Sequence, residues 1–225
     1  MFRRRFRFFF LIFFSLFLLG CTTLKNSNEI PPLLRILDKS VHQALIVQEN
    51  PLNHSKAKLT AWQRRENHWQ MMFSPMDVVI GKNGLALMGK KREGDGRTPS
   101  GIFRLVIAFG YLPTIQTNLP YYQTTENDFW VDDPESKQYN QWVTGIPEAK
   151  SFERMKRDDD LYKYGIAIEY NANPIVPGRG SAIFIHVWRA PDSSTAGCVA
   201  MSEENIVQLL TWLDQAKNPH IILAK

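Results

Sequence analysis

Cys198 and His186 are the two side chains of this sequence whose types and spacing suit covalent chemistry. The run Ile183-Phe184-Ile185-His186-Val187-Trp188-Arg189 ends an apolar stretch on an imidazole. Eight residues separate His186 from Thr195, and the segment Thr195-Ala196-Gly197-Cys198-Val199-Ala200-Met201 follows. A thiol attacks as its thiolate, and an ordinary cysteine with a pKa of about 8.5 carries little thiolate near neutral pH. An imidazole within reach takes the proton and makes a more nucleophilic pair. Gly197 allows a tight turn beside the sulfur, from which the N–H groups of Gly197 and Cys198 can point at a developing oxyanion. A cysteine and a histidine are equally the pattern of an inert buried thiol near a packed imidazole, so the pair needs context.

The cysteine count supplies some of it. The chain has two, Cys21 and Cys198. Arg3, Arg4, Arg5 and Arg7 precede an apolar run from Phe8 to Gly20, which at 13 residues is short of the roughly 20 a spanning helix needs. Residues 1–20 therefore read as a signal peptide, excluded from the fold. Leu18-Leu19-Gly20-Cys21 resembles the bacterial lipobox, which implies a lipid on Cys21 and a membrane anchor. Thr22 is not an acidic retention signal, so the expected location is the periplasmic side of the cell envelope, anchored to the outer membrane. Cys198 is then an unpaired thiol in an oxidising compartment, where such thiols are usually paired or missing.

Charge excludes a partner class. The net charge is +5, but without the four leading arginines 23 basic residues face 22 acidic ones. That balance exerts no general pull on nucleic acid, and none is expected as a partner.

The elements that must position the pair are mostly strands. Residues 21–40 read as a lipidated N-terminus and tether with a short amphipathic piece near Leu33–Leu37, and residues 41–225 as one domain. Strands are expected at Gln43–Gln48, Lys58–Gln63, Trp69–Phe73, Val78–Ile80, Leu85–Met88, Ile102–Phe109, Tyr164–Tyr170, Ala182–Val187 and His220–Ala224. Asn83-Gly84 between apolar runs predicts a hairpin. Residues 112–160 read as an irregular functional loop with one short helix near Ser151–Lys156. A helix begins after Ser202, with Glu203 and Glu204 at its positive end and Ile206, Leu209, Leu210 and Leu213 in one stripe.

Residues 41–225 resemble the L,D-transpeptidase catalytic domain, the YkuD-like family. The likeness rests on Glu93-Gly94-Asp95-Gly96-Arg97-Thr98-Pro99-Ser100-Gly101-Ile102-Phe103 and on the segment from His186 to Met201. It implies a β-sandwich of mixed sheets with one or two short helices. Cys198 takes the place of the nucleophile and His186 that of the base. The resemblance also implies that a backbone carbonyl, here that of Val187, orients the imidazole in place of a carboxylate. Asp192, in the intervening loop, is the local alternative. The chain departs from the family where Ala196 replaces a histidine, where Ala200 replaces Arg or Asn, and in its short loop to Thr195. Ala196 keeps its backbone N–H for an oxyanion.

Further candidates for substrate contact are Trp188, Arg189 and Thr195 near the pair, and Trp130, Asp132, Asp133, Tyr139 and Asn140 in the irregular segment. An acidic pair suits an amine and an arginine suits a carboxylate. Asp158-Asp159-Asp160 lacks the alternation of a calcium loop, and the scattered histidines lack zinc spacing. The resemblance implies no metal or organic cofactor. The partners it implies are peptidoglycan stem peptides and an amine acceptor, joined through a Cys198 thioester. Hydrolysis through the same dyad and a non-catalytic wall-binding lipoprotein are the alternatives.

Overall fold

The computed structural model describes residues 31–66 and 68–225. The segment expected as a signal peptide, Cys21 and the start of the expected tether lie outside the described residues. In chain order the strands are β1 (Gln43–Asn50), β2 (Asn53–Arg65), β3 (His68–Met71), β4 (Met76–Val79), β5 (Gly101–Gly110), β6 (Tyr121–Gln123) and β7 (Asp128–Val131). They continue with β8 (Trp142–Thr144), β9 (Phe152–Arg154), β10 (Tyr164–Ile168), β11 (Phe184–Val187), β12 (Val199–Met201) and β13 (His220–Ala224). One α-helix, α1 (Glu203–Trp212), sits between β12 and β13.

The main sheet runs β1-β13-β5-β10-β11-β12-β4-β2-β3, and an additional β1–β2 pairing closes it on itself. The mostly-β, mixed-sheet expectation holds, and its two layers are one continuous sheet folded over a core. Pairings β1–β13 and β11–β12 are parallel, whereas most others are antiparallel. Strand alternation sorts the side chains. On β1, Leu45 and Val47 enter the central core, while Ala44 and Ile46 face a second cluster with Leu34, Leu37 and Trp62. Leu34 and Leu37 lie in the segment expected as a tether, yet both are buried, so folded structure begins before residue 41. Helix α1 is capped by Ser202 Oγ, which accepts the Asn205 N–H at 3.3 Å, and it drives Ile206, Leu209 and Leu210 into the central core.

Three expectations need correction. Leu85–Met88 is not a strand: Leu87 and Met88 are exposed, and Leu85 makes a single bridge to Thr98. The Leu85 N–H is taken by the Glu49 carboxylate at 2.7 Å, which removes it from any ladder. The Asn83-Gly84 turn exists, with Gly84 at φ +73°, but it leads into this loop and closes no hairpin. The helix expected near Ser151–Lys156 is strand β9, because β7 offers it an edge through Phe129↔Arg154 and Val131↔Phe152. The segment 112–160 thus holds a small sheet, β8-β7-β9. Trp130 and Trp142 of that sheet pack with Phe109 and Phe184 of the main sheet, the Trp130 and Phe184 rings lying 5.0 Å apart.

Candidate active site

Parallel strands β11 and β12 bring the thiol and imidazole to one face. Their register sets Ile185 beside Val199 and His186 beside Ala200. Ile185, Val187, Val199 and Met201 point into the central core. By alternation His186 and Ala200 point the other way, as does Cys198, one residue ahead of β12.

The turn that carries Cys198 is fixed from below by the Glu93–Phe103 segment. Thr98 Oγ1 accepts the Gly81 N–H at 2.9 Å and donates to the Cys198 carbonyl at 3.4 Å. Thr195 is laced between β4's continuation residues, donating its N–H to Ile80 O and accepting from Lys82 N. Gly81 has no room for a side chain: a Cβ would meet the Gly96 carbonyl oxygen at 2.5 Å. The motif read from sequence as a turn into a core strand is also the floor beneath Cys198.

Both reactive groups are buried, His186 at 7% exposure and Cys198 at 8%. Burial pushes the Cys198 thiol up to about 12, and the Glu153 carboxylate adds to the effect. Burial pushes His186 down to about 4, against the hydrogen bond to Val187. The resting pair is therefore neutral. His186 Nδ1 lies 2.7 Å from the Val187 carbonyl oxygen. A carbonyl only accepts, so Nδ1 carries the proton and Nε2 is the open base. At rest the thiol donates to the Ala182 carbonyl at 3.2 Å, and Sγ accepts the Phe184 N–H at 3.4 Å. Gly197, expected among the oxyanion donors, already gives its N–H to Thr195 Oγ1 at 3.1 Å. Among the described residues the N–H groups of Ala196 and Cys198 engage no protein acceptor.

Cys198 and His186 open on a cavity of about 370 Å³. Trp188, Arg189, Thr195 and Ala196 line it, as do Ala200, Glu153, Arg157 and Tyr162. Asp133, Tyr139 and Asn140 are not brought to it, nor are Trp130, Asp132 and Asp192. Asp133 instead accepts the N–H groups of Glu135 and Lys150. Tyr139 is buried with its hydroxyl on Glu93, and Asn140 is consumed by backbone and Trp130 contacts. Each is a turn or core residue, its polar atoms spent on holding the chain.

The wall that sequence reasoning missed comes from β9 and the turn after it. Tyr162 donates to the Glu153 carboxylate, and its ring stands edge-on to His186 at 5.3 Å. Burial raises the Glu153 pKa and weakens its charge. Arg157 makes a two-pronged ion pair with Asp159 at 2.8 and 3.0 Å, and Arg189 approaches the same carboxylate at 3.6 Å. A carboxyl and two guanidinium groups therefore line the cavity that holds the thiol. Of this wall the sequence shows only Asp158-Asp159-Asp160, which suits a solvated loop, and the segment Ser151–Lys156 expected as a helix. Among the described residues no group of three His, Cys, Asp or Glu side chains is placed to hold a metal ion.

Fold and site together define a mostly-β domain whose cysteine and histidine, on neighbouring parallel elements, share one polar cavity. The sequence model of the YkuD L,D-transpeptidase catalytic domain matches residues 52–222, and the chain belongs to that family. No curated protein matches the chain. Among solved structures it is similar to the helical cell shape determining protein Pgp2 from Campylobacter jejuni, at 18% identity and a TM-score of 0.40. That likeness covers 85% of this chain and 53% of Pgp2. It is similar to Bd1075 from Bdellovibrio bacteriovorus at 16% identity and a TM-score of 0.43, over 81% of this chain and 47% of that one. The chain spans about half the length of these structures.

Proposed function

We propose that this protein is a peptidoglycan L,D-transpeptidase working through a Cys198 thioester, held to the cell envelope by a lipid on Cys21. The observation that carries the reading is the open Nε2 of His186 on the same cavity face as the Cys198 thiol, with Nδ1 fixed by Val187 O. Family membership supplies the substrate class, a stem peptide with an L,D bond.

In this reading substrate binding tips the neutral pair. The Sγ proton passes to His186 Nε2, and the thiolate attacks the carbonyl carbon of the L,D bond. The N–H groups of Cys198 and Ala196 are the donors available for the oxyanion. His186 returns the proton to the departing D-alanine amine, leaving the thioester. An incoming amine then attacks, gives its proton to Nε2, and displaces the thiol, which regains it. Water in place of the amine would make the same dyad a carboxypeptidase.

Intact-protein mass spectrometry of the mature protein with a disaccharide-tetrapeptide tests the proposal. The expected result is a mass gain requiring Cys198 and a release of D-alanine, both missing in Cys198→Ala and His186→Ala. Added amines then separate transfer from hydrolysis. A folded wild type that forms neither adduct nor product with stem peptides would overturn the enzyme reading in favour of a wall-binding lipoprotein.

A further inference from the structure

Ala182 is held in the left-handed region at φ +52°, a conformation a residue with a Cβ rarely adopts. It is buried two residues ahead of β11, and its carbonyl is the one that receives the Cys198 thiol at 3.2 Å. Its N–H is donated to Asn140 Oδ1 at 3.1 Å. Asn140 is buried too, at φ +55°, and its amide is otherwise fully occupied. Oδ1 accepts Trp130 Nε1 at 2.9 Å, and Nδ2 donates to the carbonyls of Tyr170 at 3.0 Å and Asn171 at 2.9 Å. One side chain from the small sheet's connection thus holds the N–H side of Ala182, and the carbonyl on the other side of its Cα receives the Cys198 thiol.

We propose that Asn140 is a positioning residue whose grip on Ala182 parks the Cys198 thiol away from His186. The inference rests on the reading of Cys198 as the nucleophile. A thiol donating to a carbonyl is favoured in its protonated form, and a thiolate so close to the same oxygen is repelled. Cys198 therefore ionises when Sγ and the Ala182 carbonyl separate, its proton going to His186 Nε2. Two opposed elements set the balance. The Asn140 hydrogen bond holds the carbonyl in place, and the unfavourable backbone of Ala182 works to release it. A small rotation at Ala182 delivers the thiol without moving the strands.

The test is the pH dependence of Cys198 alkylation by iodoacetamide in the folded mature protein, which needs no peptidoglycan substrate. The other charged or titratable groups around the thiol are Glu153, Arg157, Lys91, Tyr162 and His186, and none is altered in the variants. Asn140→Gly keeps the left-handed backbone and removes the clamp, together with the side chain's bonds to Trp130, Tyr170 and Asn171. It is expected to move the inflection down by about one pH unit, with about a tenfold faster reaction at fixed pH below it. Ala182→Gly relieves the strain and keeps the clamp. It is expected to slow alkylation about fivefold, since the parked state gains what alanine lost in that conformation. In turnover, if the enzyme reading holds, Ala182→Gly lowers kcat with KM unchanged.

A folded Asn140→Gly protein with the wild-type inflection would overturn the proposal. If that variant does not fold, Ala182→Gly decides alone: alkylation at the wild-type rate or faster sinks it. Failure of the enzyme reading shows differently, as a thiol that alkylates with the expected variant pattern but forms no adduct with stem peptides.

Discussion

Thr195 Oγ1 donates to the Cys198 carbonyl at 2.7 Å and accepts the Gly197 N–H at 3.1 Å, so one hydroxyl closes the turn that carries the thiol. Valine has the same shape without the hydroxyl. Thr195→Val is expected to cost about 1–2 kcal/mol of stability, since the Gly197 N–H loses its partner and the Cys198 carbonyl keeps only the longer bond from Thr98 Oγ1. Because the Gly197 N–H is then released, the variant should lose kcat more than it gains KM. Urea denaturation and steady-state kinetics on a stem peptide check the two halves.

His186 makes stability depend on pH on the acid side. Its pKa is about 4 in the fold and 6.5 when exposed, so between these values the unfolded chain binds a proton the folded one refuses. The stabilisation is complete above pH 6.5 and is lost as pH falls through 4, amounting to about 3 kcal/mol. His186→Phe, folded at pH 7, should show a flatter stability profile between pH 6.5 and 4 in chemical denaturation. An unchanged slope would contradict the buried neutral imidazole.

Cys198 acts at the opposite end. Its thiol titrates at about 12 in the fold against 9.0 exposed, so the unfolded chain loses its proton first. Its contribution is present below pH 9 and lost as pH rises toward 12, about 4 kcal/mol in all. Cys198→Ala should lose catalysis by several orders of magnitude and also gain relative stability above pH 9. Thermal unfolding from pH 8 to pH 10.5 measures the second effect.

Gly81→Ala tests the floor of the site from a distance. The added Cβ would meet backbone atoms of Gly96, Arg97 and Thr98 at 2.5 to 2.9 Å, none of which can rotate away. A loss of about 2–3 kcal/mol is expected. Since Gly81 N–H also anchors Thr98 Oγ1, activity should fall further than stability explains. Comparing kcat at temperatures where both proteins are fully folded separates the two losses.

The sequence by itself determined the elements whose side chains repeat with a clear period and the turns whose residues admit few conformations. Strands β1, β2, β5, β11 and β13 and helix α1 with its Ser202 cap were legible because alternation and capping are local properties. The pairing of His186 with Cys198 came from residue types and from resemblance, while their shared face follows from the parallel pairing of β11 with β12, a strand that no local pattern showed. Only the tertiary structure decided the far wall of the cavity. Phe152-Glu153-Arg154 is three residues long and carries no period of its own. It is a strand because β7 lies beside it, and Glu153 enters the site because Trp130 and Trp142 dock the small sheet on Phe109 and Phe184. Asn140 shows the same limit from the other side. A polar residue in an irregular segment read as a substrate contact, whereas its buried amide is spent on Ala182, Tyr170 and Asn171. Which partners satisfy a buried polar group is a matter of contacts distant in the chain, and no local pattern encodes them.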